Sequence, residues 1–401
     1  MELEKNRQTE IVEPYKLPTG WKWCKQSEVC KLVDGEKIAD KEYPYLEVKY
    51  LRGTKEKSFV TSGKLIKKGT KVILVDGENS GEVFTVPEDG FMGSTFKALS
   101  IQNVDENYLQ FFIQTKKDLY RNNKKGSAIP HLNKELFFNM PFPLPPTLAE
   151  QQRIVNRIES MFAKLDQAQE KAQSVLDSFE TRKAAILHKA FNGQLKIDNE
   201  ELSIEDWEDT TIGECCRLGS GGTPSKSHPE YYENGDIPWL KTGEIDWNDI
   251  HDVEERITNE GVENSSAKIF PAESVVVAMY GMGVTRGKAA IIKIPTATNQ
   301  AVCDLQPNEK LNNRFLFYYF MCNYWQIREQ SVGGNQLNLS GKIIASFPIK
   351  LPPQNYQLSI VNFLDTVLEK ESRAKEAAKT VLDRIALLKK SILARAFRGE
   401  L

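Results

Sequence analysis

The sequence predicts an α+β fold in which two tandem copies of one α/β domain are separated by two long antiparallel coiled-coil helices. Three observations support it. The chain is written twice, each copy ends in a long amphipathic helical pattern, and the remainder of each copy is a series of short β-branched runs bounded by turn residues.

The duplication is plainest at the ends of the copies. AILHKAFNGQL at 185–195 matches SILARAFRGEL at 391–401, an offset of 206 residues at which Val175-Leu176-Asp177 also falls on Val381-Leu382-Asp383 and Ile154-Val155 on Ile360-Val361. After one dropped residue, Pro145-Pro146 aligns with Pro352-Pro353. NYLQFF at 107–112 sits over RFLFYY at 314–319, and Trp21, Glu28 and Cys30 over Trp207, Glu214 and Cys216. This divides the chain into a first domain with an N-terminal tail (1–146), a first helix (147–195), an acidic linker with the second domain (196–352) and a second helix (353–401). KIDNEELSIEDWED at 196–209 is acidic and aperiodic, as expected of a linker.

Each helix follows from its apolar stripe. Ile158, Phe162, Leu165, Ala168, Ala172, Leu176 and Phe179 recur at spacings of three and four in the first copy, and Leu364, Val367/Leu368, Ala374, Ala378, Leu382 and Ile385 continue the same stripe in the second. No Pro or Gly interrupts 148–192 or 354–398, so each helix runs about 40 residues, roughly 60 Å at 1.5 Å per residue. That length outruns a domain core and calls for a partner helix, which the other copy supplies. The Pro pairs set the entry of the chain, and Gly193 and Gly399 end the helices as C-terminal caps.

The strands are read from KVILVDG (71–77), SVVVAMYG (274–281), KAAIIKI (288–294) and QAVCDL (300–305). One aromatic-rich helix is expected near 107–121 and its counterpart near 312–329.

Bulk properties narrow the function. The 401 residues are 40% hydrophobic and 27% charged with mean hydropathy −0.45, and no apolar run reaches the roughly 20 residues of a membrane span. The N-terminus lacks the apolar stretch of a signal peptide, so a cytoplasmic protein with no membrane association is expected. Six cysteines and four histidines are scattered without metal-ligand spacing, and no metal site is expected.

No catalytic centre emerges either. GSGGTPSKS (219–227) has Ser225 where a phosphate loop needs glycine before its lysine, and Pro224 interrupts it. Asp34, Glu47 and Lys49 have the residue types of a metal-dependent nuclease, but the second copy lacks the set.

Basic residues cluster instead. Lys49, Arg52, Lys55, Lys57, Lys64, Lys67, Lys68 and Lys71 share one interval with a single acidic residue, Glu56; Lys116, Lys117, Arg121, Lys124 and Lys125 form a second group. In the second copy Lys226, Lys241, Arg286 and Lys288 lie beside the polar loops GGTPS (221–225), GMGVTRG (281–287) and GGNQLNLS (333–340). Such side chains on loops suit phosphates and base edges, and the net charge of −2 does not oppose DNA binding when the acidic residues lie elsewhere.

The ordered set GGTPS…PEYY…GDIPWLKTGEI (221–245), TNQAVC (298–303), GENSGEVF…GSTFKAL (77–99), GGNQLNLS, PLPPTLAEQ (143–151) and a long helix ending AFNGQL or AFRGEL resembles the DNA-specificity subunits of type I restriction-modification systems, over residues 17–401. The resemblance implies two target-recognition domains, each reading half of a split DNA site. It also implies methyltransferase subunits docked on the helices and motor-nuclease restriction subunits for cleavage. S-adenosylmethionine, ATP and Mg would belong to those partners, with no cofactor and no catalytic residue in this chain.

On charge and loop position, the expected DNA face comprises Thr223, Ser225, Lys226, Lys241, Arg286, Lys288, Asn335, Gln336 and Asn338 in the second domain. In the first it comprises Lys49, Arg52, Lys55, Lys57, Asn79, Ser94, Thr95, Lys97, Lys124, Lys125 and His131. The first copy lacks GGTPS and has SAIPHLN (127–133) in place of GNQLNLS, so roles do not carry over between copies, and unlike half-sites are expected. Two rivals stand beside this reading. An autonomous nuclease would cleave DNA alone with a metal, and a pure scaffold would add no DNA affinity to its partner.

Overall fold

The computed structural model describes residues 13–126, 130–197, 200–201, 204–281, 283–333 and 337–401. The chain forms two compact units, Met1–Gln173 with Lys379–Leu401, and Ser174–Ala378. The expected division placed each helix after its domain. In the structure each unit holds one α/β domain, the start of the long helix that follows it and the end of the other one.

In the first unit a four-stranded antiparallel sheet runs in the order Cys30–Val33, Phe96–Ile101, Lys71–Leu74, Val83–Thr85. Its apolar residues alternate between two covered faces. Ile73 and Leu99 turn to the helices, whereas Val72, Leu74, Phe96 and Ala98 pack with Leu46, Ile66 and Met92 of a second sheet. Burial on both faces explains the unbroken apolar run KVIL. That second sheet has five strands, including a parallel pairing of Tyr43–Leu46 with Gly90–Met92.

The second unit repeats the plan. Its main sheet orders Cys216–Ser220, Val302–Pro307, Val275–Ala278, Ala289–Ile292 and Asp249–Ile250. Val275, Val277, Ile291, Cys303 and Leu305 face the helices; Val276, Ala278, Ala290, Ile292 and Val302 face the other sheet. In each unit a short strand pair closes the domain beside the long helix, Lys22–Lys25 with Pro141–Leu144 and Glu208–Thr211 with Pro348–Leu351.

The long helices run Leu148–Phe191 and Gln354–Ala396, close to the predicted limits. Thr147 caps the first through its hydroxyl, which accepts from the Glu150 N–H at 3.2 Å. Gly193 and Gly399 have φ of 64° and 74°, the left-handed conformation of a helix C-terminal cap. A glutamine in the first turn of each helix also has a use. Gln151 and Gln357, both buried, accept at 2.8 Å from the N–H groups of Asp105 and Asn312, the residues that cap the aromatic helices.

Each helix pair is antiparallel. In the first unit Lys389 meets Asp166 at 2.5 Å; in the second Arg182 meets Glu371 at 2.8 Å and Lys375 meets Glu180 at 3.4 Å, one number rising as the other falls. Among the predicted pairing residues, Phe179 and Ile385 are buried, while Phe162, Leu165, Leu176, Leu368 and Leu382 are half-buried. Ile158 and Leu364 are fully buried in clusters that join the domain to the other long helix, because the first turns of each helix are also part of a domain core. Leu393 and Ala396 share the cluster of Ile158, and Leu187 and Ala190 that of Leu364.

The AFxGxL repeat explains itself in the packing. Phe397 inserts between Tyr108 and Phe112 of the first unit (centroids 5.0 and 5.4 Å), and Phe191 between Phe315 and Tyr319 of the second (5.0 and 5.6 Å). Each copy's tail fills the other copy's core.

Two expectations are corrected. The aromatic helices break into Glu106–Thr115 and Lys117–Asn122, and Asn313–Cys322 and Tyr324–Glu329, at residues with ψ near zero and no glycine or proline to announce them. The acidic linker is not irregular, since Lys196–Ile197 pairs with Glu200–Glu201 and a 3-10 turn follows at Ile204–Asp206.

Candidate nucleic-acid interface

In both units two turns meet at the end of the main sheet. In the first unit the Val75 N–H donates to the Thr95 carbonyl (2.9 Å) and the Leu132 N–H to the Val75 carbonyl (2.7 Å). In the second the Met279 N–H donates to the Ala301 carbonyl (2.8 Å) and the Leu339 N–H to the Met279 carbonyl (3.0 Å). The isolated bridges Lys125 with His131 and Val332 with Asn338 close the same loop in each copy. The backbone frame repeats, and the side chains on it differ.

On the first frame the contacts are ionic. His131 Nδ1 lies 2.6 Å from Asp76 Oδ1, Lys124 pairs with Glu78 at 2.6 Å and Lys125 with Glu135 at 3.1 Å. The Glu82 N–H donates to the Asn79 carbonyl, and the Glu82 carboxylate receives Arg52 and Lys117. Exposed Ser94 and half-buried Thr95 lie beside this group. Lys97 and Lys64 both donate to Asp34, whose pKa those hydrogen bonds pull down to about 2.

The basic interval from Lys49 to Lys71 is a partial correction. Read along the chain it has one acidic residue, but folding brings Glu47 to Lys55, Glu88 to Lys57 and Asp89 to Lys67. Lys71 leaves the surface altogether, donating from a buried position to Thr85 Oγ1 and Asn107 Oδ1. Lys49 is exposed and meets no acidic partner among the described residues.

On the second frame Arg286 Nη1 donates to the Leu337 carbonyl at 2.6 Å, and Asn338 Oδ1 is buried without a described partner. Burial, then the nearby Arg328, hold the Arg286 pKa below its usual value. Lys288 is paired with Asp246 and mostly buried. Thr223, Ser225, Lys226 and Lys241 form a neighbouring group: Thr223 donates to Gln300 Oε1 at 2.6 Å, Ser225 bonds Ser227 at 2.7 Å, and Lys241 meets Glu255 at 2.5 Å. Lys226 is exposed. The turn at 298–301 touches both groups, through Gln300 and the Ala301 carbonyl. Asn335 and Gln336 lie outside the described residues.

The GGTPS run has a packing role. A Cβ on Gly221 would collide with the Thr298 carbonyl, and one on Gly222 with Ser266. The Gly222 N–H donates to Thr298 at 3.0 Å and its carbonyl accepts from Trp239 Nε1 at 3.1 Å. The glycines permit this seam; they do not cradle a phosphate. Gln300 and Arg328, which the sequence reading did not single out, also bond to these loops. TNQA and the basic residue after the Tyr324-Trp325 pair were the available signals.

Asp34 is held by Lys64 and Lys97 and Glu47 by Lys55, so the nuclease-like trio shares no site. Among the described residues no three His, Cys, Asp or Glu side chains converge as metal ligands. Burial pushes the Cys24, Cys30, Cys216 and Cys303 thiols up to about 12, which suits inert core thiols. No helix among the described residues is long and apolar enough to cross a membrane.

The chain matches the family model of the type I restriction modification DNA specificity domain twice, over residues 18–176 and 204–382. It is 26% identical over 406 residues to the type I restriction enzyme MjaVIII specificity subunit of Methanocaldococcus jannaschii, covering 94% of this chain and 93% of that one. It is 31% identical over 163 residues to the EcoR124I/EcoR124II specificity subunit of Escherichia coli, 40% of each chain. The fold resembles the HsdS subunit from Thermoanaerobacter tengcongensis, with a TM-score of 0.67 at 19% identity over 97% of this chain and 99% of that one. A chain solved in work on complex assembly and conformational transition of the type I R-M system gives a TM-score of 0.73 at 19% identity, over 97% and 100%. With both matched segments falling on the two repeated units, the chain belongs to the family of type I restriction-modification DNA-specificity subunits, which are noncatalytic, and carries the specificity domain in tandem.

Proposed function

We propose that each unit reads one half of an asymmetric, bipartite site in double-stranded DNA, while the two long helices set the gap and receive methyltransferase subunits. The observation that carries this reading is the repeated backbone frame bearing unlike side chains, ionic on the first unit and arginine-based on the second. One scaffold presented twice with different chemistry reads two different short sequences. The surface ion pairs do not oppose it. Exposed pairs are worth about 0–1 kcal/mol, so Lys55, Lys57, Lys97 and Lys124 can exchange a carboxylate for a DNA phosphate at little cost.

Val381, Leu387 and Leu388 are exposed on the second long helix and offer apolar area for a docked subunit. Adenine methylation with S-adenosylmethionine, and ATP- and Mg-dependent cleavage by restriction subunits, belong to those partners, and the complex acts in the cytoplasm. The test is selection from a randomised duplex library by the chain with its methyltransferase. Retained DNA should carry two short unlike motifs at one fixed gap. A single ungapped motif, or no enrichment over the methyltransferase alone, would overturn the reading.

A further inference from the structure

Arg328 occupies an unusual position. It lies in the last turn of the short helix Tyr324–Glu329, far in sequence from the turn it holds. Its Nη1 donates to the Arg286 carbonyl and, at 3.1 Å, to the Tyr324 hydroxyl; its Nη2 donates to the Gly283 carbonyl at 2.8 Å. The guanidinium lies 5.1 Å from the Tyr324 ring and 5.6 Å from the Trp325 ring, and the Tyr324 hydroxyl donates in turn to the Val284 carbonyl. Gly287, at φ +87°, brings the turn against the same side chain: a Cβ there would lie 3.0 Å from Arg328 Cγ.

Arg328 thus meets carbonyls, a hydroxyl and two rings, with no carboxylate among the described residues. A planar fork can bond two carbonyls while stacking on aromatic faces; a lysine ammonium cannot do both. What it fixes is Arg286, whose Nε is buried without a described partner, whose Nη1 reaches on to the Leu337 carbonyl and whose Nη2 meets no acceptor among the described residues.

We infer that Arg328 is a positioning residue for recognition of the second half-site: it clamps the Gly283–Gly287 turn so that Nη2 of Arg286 is presented to a base edge. The inference rests on the DNA-reading function proposed above. In the first unit the matching helix position is Arg121, but it stands by a carboxylate: the turns there are tied by the Asp76–His131 and Glu78–Lys124 pairs, and Lys124, then Arg121, lower the Glu78 pKa. Specificity in the second half therefore depends on a neutral-acceptor clamp.

The test uses the full chain with its methyltransferase and the randomised-duplex selection, on R328K and the milder Y324F. R328K keeps the charge and loses the fork. It is expected to lower discrimination about tenfold at one or more positions of the second half, leaving the first half and the salt dependence unchanged. Y324F should relax the same positions less. A clamp that only stabilised the unit would reduce retention without altering the motif, and a phosphate contact would weaken all sequences alike and be kept by R328K. Either result, or degeneracy in both halves, overturns the inference. If wild type itself selects no gapped motif, the DNA reading fails first.

Discussion

Asp304 shows how a single buried group can tune a unit. It lies on the central strand Val302–Pro307, on the face turned to the second sheet; Oδ2 accepts from Gln306 Nε2 at 2.9 Å, while Oδ1 is buried with no described partner. Burial pushes its pKa up from 3.8 to about 6. The folded unit therefore keeps a proton between those values that the unfolded chain releases. The contribution of Asp304 to stability is fully present below about pH 4, is lost as pH rises towards 6, and stays lost above. Ala98 holds the equivalent register position in the first unit, so the fold does not need the carboxyl. D304N is expected to stabilise the second unit by about 1–3 kcal/mol at pH 8 and to flatten its pH dependence, read by hydrogen exchange in that strand. Unchanged exchange would contradict the account. At this scale little was legible in the sequence. The partners of Arg52, Lys97 and Arg328 are 30 to 63 residues away, and a one-dimensional run of lysines does not disclose the carboxylates folded onto it.

At the scale of elements, apolar burial outweighs charge in the helix pair. Lys375 lies 4.0 Å above the centroid of the Phe179 ring, which is buried beside the Arg182–Glu371 pair. F179A should cost the second unit about 3 kcal/mol, and R182A under about 1, because the ion pair is partly exposed. Thermal unfolding of the two variants checks the order; a larger loss in R182A would reverse it. The long helices were legible because a 3.6-residue stripe, a Pro pair and a capping glycine all agree over some forty residues. The strands KVIL and VVVA were legible for a similar reason, being doubly buried. The breaks at Lys116 and Asn323 were not, for neither carries a local signal, and three of the four residues in the linker's strand pair are Lys or Glu, which are depleted in strands.

For the whole molecule, the duplication was plain in the sequence, but the exchange of helix ends was not. A repeat of AFNGQL and AFRGEL does not reveal which domain each phenylalanine completes. Since Leu393, Ala396 and Phe397 belong to the core of the first unit, deleting residues 392–401 should loosen that unit while leaving Ser174–Ala378 protected in hydrogen exchange. Uniform loss of protection would contradict this division. The central claim, that one noncatalytic chain supplies two unlike half-site readings, is tested most directly by mapping methyladenine across the genome of a host that expresses the cognate methyltransferase with and without this chain. The account predicts a gapped, asymmetric motif that appears only when the chain is present. A methylation pattern that is the same in both hosts, although the two proteins copurify, would contradict it and leave a scaffold.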